Sequence, residues 1–172
     1  MKKYSIVVHP AELLDEIKKI KQGLKSLIGW YSSVNALAHF TICEFWADEI
    51  QLYKVKKEVS KLVATWTIRF IILDSFDAFK GGAFYIRPDE NSSLYLQELL
   101  KAVGTKVKEI IPEAYTCTTP HLSIGRRLNE EQLEVAKRTF TSYTNSFICD
   151  GVMIREFNPM RKQYDLKEFI SF

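Results

Sequence analysis

The tetrad His39-Phe40-Thr41-Ile42 returns 82 positions later as His121-Leu122-Ser123-Ile124. On a β-strand, successive side chains point to opposite faces of the sheet. The histidine and the hydroxyl of each tetrad therefore share one face, and the two apolar residues anchor the other face in a core. Each tetrad predicts a strand that presents an imidazole and a hydroxyl side by side.

The segments around the tetrads repeat one order of elements: strand, helix, strand, helix, strand. The first copy is predicted as a strand at 4–8, a helix at 10–29, a strand at 37–45, a helix capped by Asp48 and a strand at 65–73, followed by a loop at 74–82. The second is predicted as a strand at 83–87, a helix capped by Asn91 or Ser92, a strand at 120–125, a helix at 129–143, an extended stretch at 146–157 and a strand at 164–169.

This repetition predicts the architecture. The copies cover approximately 1–80 and 81–172, so they nearly fill the chain of 172 residues, and no low-complexity linker separates them. We expect one domain over 1–172, of the α+β class, built as a duplicated fold with two lobes that face each other.

Composition excludes several classes of protein. A net charge of only +3 argues against a strongly basic duplex-binding domain but leaves room for a local phosphate-binding patch. No apolar run reaches the roughly 18–20 residues needed to cross a bilayer, and the apolar stretch at 6–8 is too short for a signal peptide. Neither a P-loop nor a dinucleotide-binding glycine motif occurs. We therefore expect a cytoplasmic protein without a membrane partner, whose site is built from side chains.

Two histidines and two hydroxyls around one cleft suit in-line displacement at phosphorus. One neutral imidazole can accept a proton from the attacking oxygen while a protonated one donates to the departing oxygen. The hydroxyls can donate to the non-bridging oxygens as their charge grows. Neither a metal nor a cofactor is needed, and no carboxylates cluster in the sequence to hold a metal. A single His-x-Thr is better explained as an ordinary strand histidine with satisfied hydrogen bonds, but two in register favour function.

The two tetrads, about 80 residues apart in a duplicated α+β chain, resemble the 2H phosphoesterase superfamily, which includes 2′-5′ RNA ligase-like proteins and cyclic nucleotide phosphodiesterases. The resemblance implies two antiparallel sheets that flank a central cleft, with helices outside. It implies a metal-independent phosphodiesterase that hydrolyses 2′,3′-cyclic phosphate RNA ends or cyclic nucleotides, and it leaves open a reversible 2′-5′ ligation. His39, Thr41, His121 and Ser123 are then catalytic, with His121 as the base and His39 as the acid.

Residues outside the tetrads add candidates for substrate binding. Family members often continue the second tetrad as Gly-Arg, matched here by Gly125-Arg126, whereas Cys43-Glu44 departs from the usual pattern after the first. Arg126 or Arg127 could hold a substrate phosphate, and Tyr85 is one of the strand aromatics that could stack on a base. We expect a monomer whose partner is an RNA end or a small nucleotide. The alternative is a non-catalytic RNA- or nucleotide-binding module that keeps the cleft.

Overall fold

A computed structural model describes all residues of the chain, 1–172, and confirms the α+β class. The strands are β1 (Lys2–Val8), β2 (Phe40–Ala47), β3 (Arg69–Phe79), β4 (Ala83–Pro88), β5 (Tyr115–Thr116), β6 (Leu122–Gly125), β7 (Asn145–Cys149), β8 (Gly151–Asn158) and β9 (Gln163–Ser171). The helices are α1 (Leu14–Ile28), which follows a 3-10 turn, α2 (Glu49–Val63), α3 (Glu90–Ile110) and α4 (Glu130–Thr139).

The strands form one antiparallel sheet made of two four-stranded halves. One half has the order β7-β3-β4-β6 and the other β2-β1-β8-β9, with β5 added beside β2. The halves meet through a single pair of residues, Phe40 on β2 and Leu122 on β6. The expected two sheets are thus joined at the tetrads themselves, so the fold brings the two repeated motifs to its centre.

The third strand of each repeat crosses to the other half of the sheet. β3 pairs with β4 of the second copy, and β8 pairs with β1 of the first. The stretch predicted as extended at 146–157 is extended on both sides of Asp150, where it divides into β7, which pairs with β3, and β8. The first residue of β8 must be a glycine, because a Cβ on Gly151 would lie 2.4 Å from the carbonyl oxygen of Ile170.

The predicted loop at 74–82 is wrong, because β3 continues to Phe79 and forms a hairpin with β4. The register shifts between Leu73 and Ser75, which is the signature of a β-bulge. The polar residues that suggested a loop alternate with apolar ones: Phe76 and Ala78 pack against the core.

Helix ends were predicted less well than helix positions. The cap of α2 is confirmed, since the Asp48 carboxylate accepts from the Gln51 backbone N–H at 2.8 Å. α3 is capped by Asp89, not by Asn91 or Ser92; the Asp89 carboxylate accepts from the Ser92 N–H at 2.8 Å. α4 ends at Thr139 rather than 143, because Phe140 already has extended backbone angles.

The helices bury the apolar face of the sheet. α1 contacts β6 and α4, α3 contacts β2, β3, β4 and α2, and 40 buried residues form one core cluster. Phe40, Ile42, Leu122 and Ile124 all belong to that cluster, as the tetrads predict. None of the four helices has both the length and the apolar composition that a membrane span requires. The opposite face of the tetrad strands is left for the histidines and hydroxyls.

Candidate active site

The register of β2 against β6 places the four tetrad side chains together. Phe40 pairs with Leu122 in an antiparallel ladder. One step along this register in each direction sets His39 opposite Ser123, and Thr41 opposite His121. The two histidines are then diagonal neighbours, which are typically about 7–8 Å apart across an antiparallel pair, with their Cβ atoms somewhat closer. A phosphate group fits between side chains at this spacing, with one imidazole and one hydroxyl on each side.

Both imidazoles are held by the same local hydrogen bond. His39 Nδ1 lies 2.6 Å from the carbonyl oxygen of Leu37, and His121 Nδ1 lies 2.7 Å from that of Thr119. A carbonyl oxygen can only accept, so each Nδ1 must carry the proton. In the neutral form this leaves each Nε2 as an unprotonated acceptor. Both histidines are therefore prepared for proton transfer at Nε2.

Equivalent bulges aim one further charged side chain from each strand at the same face. On β2, Ile6 pairs with Cys43 but Val7 pairs with Thr41, so one residue is skipped. On β6, Phe84 pairs with Gly125 but Tyr85 pairs with Ser123, again skipping one. A bulge reverses the alternation beyond it. Each bulge thereby turns the residue five positions after its histidine, Glu44 or Arg126, toward the cleft.

Two adjoining cavities divide the site. The one on the His121 side, about 370 Å³, is lined by Thr41, His121 and Ser123 together with Glu44 and Arg126. The other, about 510 Å³, is lined by His39 and also by Glu44 and Arg126. The two shared residues mark the boundary, so the cavities are compartments of one cleft.

The surroundings of His39 are strongly positive. Burial lowers the pKa of His39 well below its usual range, and the nearby charge of Arg155 lowers it further, against the Leu37 carbonyl, which raises it. Lys21 and Arg126 contribute smaller shifts in the same downward direction. Burial is also the main reason that the pKa of His121 is lowered, with Arg126 adding to it. Both imidazoles are therefore poor cations in the free protein, and a bound anion would favour their protonation.

The three predicted substrate-binding residues differ in how much of the cleft they reach. Arg126 lines both compartments, whereas Arg127 lines only the one at His39 and has a left-handed backbone, with φ of 57°. Tyr85 lies beside His121, with ring centroids 5.5 Å apart, but it is only 5% exposed. Phe79 covers it at 4.4 Å and also contacts the His121 ring at 5.2 Å. Phe79 is thus the more accessible of the two rings.

Comparison with known proteins identifies the family of the chain. The family model described as the 2′-5′ RNA ligase superfamily matches residues 9–158. The chain belongs to this superfamily of 2H phosphoesterases. Its members act on RNA or nucleotides, and membership supports phosphoesterase-type activity. No curated protein sequence matches the chain.

Solved structures share the fold at low sequence identity. TT0787 of Thermus thermophilus is 14% identical, with a TM-score of 0.71 over 99% of this chain and 97% of that one. LigT of E. coli in complex with 3′-AMP is 10% identical, with a TM-score of 0.71 over 99% and 97%. Further LigT structures contain ATP, NADP+ or phosphate.

Two buried cations near the cleft were missed from the sequence. Arg155 on β8 is only 3% exposed, and burial lowers its pKa to about 10. Lys21 on α1 is 2% exposed and donates to the Ala36 carbonyl at 2.7 Å, and burial lowers its pKa to about 8. Lys21 shares α1 with Lys18, Lys19 and Lys25, a pattern that by itself predicts a solvated helix face. For Arg155 a signal existed: it interrupts an apolar strand, with Val152 and Ile154 just before it.

No group of three or more histidine, cysteine, aspartate or glutamate side chains in the fold is arranged to hold a metal ion.

Proposed function

We propose that the protein is a metal-independent cyclic phosphodiesterase that hydrolyses 2′,3′-cyclic phosphate RNA ends or cyclic nucleotides. The observation that carries the proposal is the matched pair of histidines, each with Nδ1 committed to a backbone carbonyl and Nε2 free, placed diagonally across the β2–β6 pair. Binding alone would require donors for an anion, not two imidazoles prepared in the same tautomer.

In the proposed reaction, one imidazole Nε2 accepts a proton from water as the water oxygen attacks phosphorus. The bond from phosphorus to one ring oxygen of the cyclic phosphate breaks, and the other imidazolium donates its proton to that oxygen. The products are a phosphate monoester and a free hydroxyl. The family resemblance assigns His121 as the base and His39 as the acid.

Thr41 and Ser123 are proposed to donate hydrogen bonds to the non-bridging oxygens, where negative charge increases during the attack. Arg126 supports the same group, since it lines both compartments. We assign Arg127 and Tyr85 to substrate binding beside these residues. The bound phosphate would offset the repulsion between His39 and its cationic neighbours, so substrate itself would promote protonation of the acid.

The chain is proposed to act as one bilobal domain and as a monomer in the cytoplasm. The shared 40-residue core supports the single domain. Size-exclusion chromatography with light scattering tests the monomer.

The deciding experiment is incubation with a panel of 2′,3′-cyclic nucleotides and cyclic-phosphate oligonucleotides in EDTA, followed by chromatography of the products. Conversion to a monoester in EDTA is expected. Loss of all turnover on chelation, restored by magnesium or zinc, would require another mechanism. Tight binding of nucleotides without any turnover would instead support the non-catalytic binding module.

A further inference from the structure

The compartment at His39 carries far more positive charge than one phosphate requires. Its walls include five basic side chains and a single acidic one, Glu44. Glu44 is already paired, because the Lys3 ammonium lies 2.6 Å from its carboxylate. The basic residues are Lys3, Arg126, Arg127, Arg155 and Lys162.

Arg155 is the most unusual of these residues. Its guanidinium lies over the ring of Tyr164, 4.8 Å from the centroid, and its Nη2 donates to Ser5 Oγ at 3.1 Å. Arg155 takes part in no salt bridge, and its buried Nε has no hydrogen-bond partner. The one carboxylate whose charge raises its pKa, Glu44, is already paired with Lys3. A buried charge without a counter-ion is costly unless a ligand supplies one. The Arg155 guanidinium is therefore held in place while part of its hydrogen-bond donors remain unused.

The position of Arg155 separates it from the reacting phosphate. β8 lies two strands from β2, which is about 10 Å across a sheet. Arg155 lines the compartment at His39 but not the one that holds Thr41, His121 and Ser123. The proposed position of the reacting phosphate is between the tetrads. The charge of Arg155 lowers the pKa of His39 but not that of His121, so Arg155 is available for a second anion on the His39 side.

We infer that the His39 compartment is a subsite for a second phosphate group of the substrate, with Arg155 as its principal ligand. The inference rests on the proposed function and narrows its substrate class: the preferred substrate carries a phosphate on the 5′ side of the nucleoside whose cyclic phosphate is opened. That phosphate could be a monoester on a mononucleotide or the diester linkage of an RNA end.

The kinetic test compares three substrates with the same base: a nucleoside 2′,3′-cyclic phosphate, its 5′-phosphorylated form and a dinucleotide that ends in the cyclic phosphate. Because a charge-assisted contact is gained, kcat/KM should be about 10- to 100-fold higher for the substrates with a second phosphate. Preference for the 5′-monoester alone indicates a mononucleotide substrate, whereas preference for the dinucleotide indicates an RNA end. Equal values for all three substrates would overturn the inference.

The preference is the ratio of kcat/KM with the second phosphate to kcat/KM without it. Arg155→Gln should reduce this ratio toward one, and Arg155→Lys should restore only part of it, because lysine cannot bind bidentately. The matched control is Arg138→Gln on α4, whose side chain donates to the Glu134 carbonyl of its own helix. This variant should keep the wild-type preference for the second phosphate. An unchanged preference in Arg155→Gln would refute the assignment. Thermal unfolding of each variant identifies any that fail to fold. In that case the comparison of the three substrates with the wild-type protein still tests whether a second phosphate is bound.

A binding measurement separates this inference from the proposed function. By calorimetry, a nucleoside 3′,5′-bisphosphate should bind wild type more tightly than the 3′-monophosphate, by a similar factor, and Arg155→Gln should lose that difference. If no substrate is hydrolysed but the difference is present, the phosphodiesterase proposal fails and the subsite stands. If substrates are hydrolysed without any difference, the subsite fails and the phosphodiesterase proposal stands.

Discussion

Replacing each histidine separately tests the division of labour in the cleft. His39→Ala and His121→Ala each remove one proposed proton-transfer group, and such groups typically contribute about 10²- to 10⁴-fold in rate. This corresponds to about 3–5 kcal/mol of transition-state stabilisation. In the proposed mechanism, the hydroxyls and Arg126 would still hold the phosphate in either variant. The loss should therefore fall on kcat, with KM changed much less.

The leaving group distinguishes the acid from the base. Both variants are assayed with a 2′,3′-cyclic nucleotide, whose departing ribose oxygen needs a proton, and with bis(4-nitrophenyl) phosphate, whose nitrophenolate departs without one. If His39 is the acid, His39→Ala should recover most of its activity on the nitrophenyl substrate, and His121→Ala should not. Recovery of His121→Ala alone would reverse the two roles.

The third histidine provides the matched control. His9 follows Val8, which pairs with Phe40, but its side chain lines neither compartment. His9→Ala should therefore keep kcat within a few-fold of wild type. Full activity of both tetrad variants on the cyclic nucleotide would refute the catalytic role of the pair.

Three further predictions follow from the same geometry. Because the pKa of each tetrad histidine is lowered, the acid loses its proton early as pH rises, so kcat/KM should be greatest below about pH 6.5. The maximum of kcat should lie at higher pH, since bound phosphate favours the imidazolium. Identical pH profiles for kcat and kcat/KM would contradict this prediction. Thr41→Ala and Ser123→Ala should each lower kcat by at most about 10²- to 10³-fold in steady-state assays. Gly82→Ala should destabilise the fold by more than about 1 kcal/mol in urea unfolding, because Gly82 has φ of 82° and an added Cβ would lie 2.2 Å from the Leu128 carbonyl oxygen; unchanged stability would refute that steric argument.

The repeat explains why the sequence predicted the fold class and the centre of the site. Each tetrad combines two periodic signals, apolar residues on one face and a histidine with a hydroxyl on the other. Neither signal depends on which strand lies alongside. The antiparallel pairing of Phe40 with Leu122 then follows from the symmetry of two equal motifs that meet. Local periodicity could not show that β3 and β8 exchange partners, because strand pairing depends on residues distant in the chain.

The misplaced details have local physical causes. Strict alternation favours Arg127 over Arg126 for the His121 face, but a bulge after Ser123 reverses the alternation and brings Arg126 into both compartments. The same device brings Glu44 into the cleft after the first tetrad. A bulge leaves little trace in a single sequence, since any residue can be the extra one. Arg155 was missed for another reason: the sequence shows only a charge that interrupts an apolar strand, and the packed structure is needed to show that its Nε is buried without a hydrogen-bond partner.

The differences between the two copies give a symmetric pair of histidines a direction. On the His39 side, Ser5 pairs with Arg155; at the equivalent position on the His121 side, Ala83 pairs with Phe79. A guanidinium thus occupies on one side the place that an aromatic ring occupies on the other. An anionic group is attracted to the first place and a base can stack at the second. A nucleotide with its reacting phosphate between the histidines would then bind in one orientation, so each imidazole would keep a single role in every turnover.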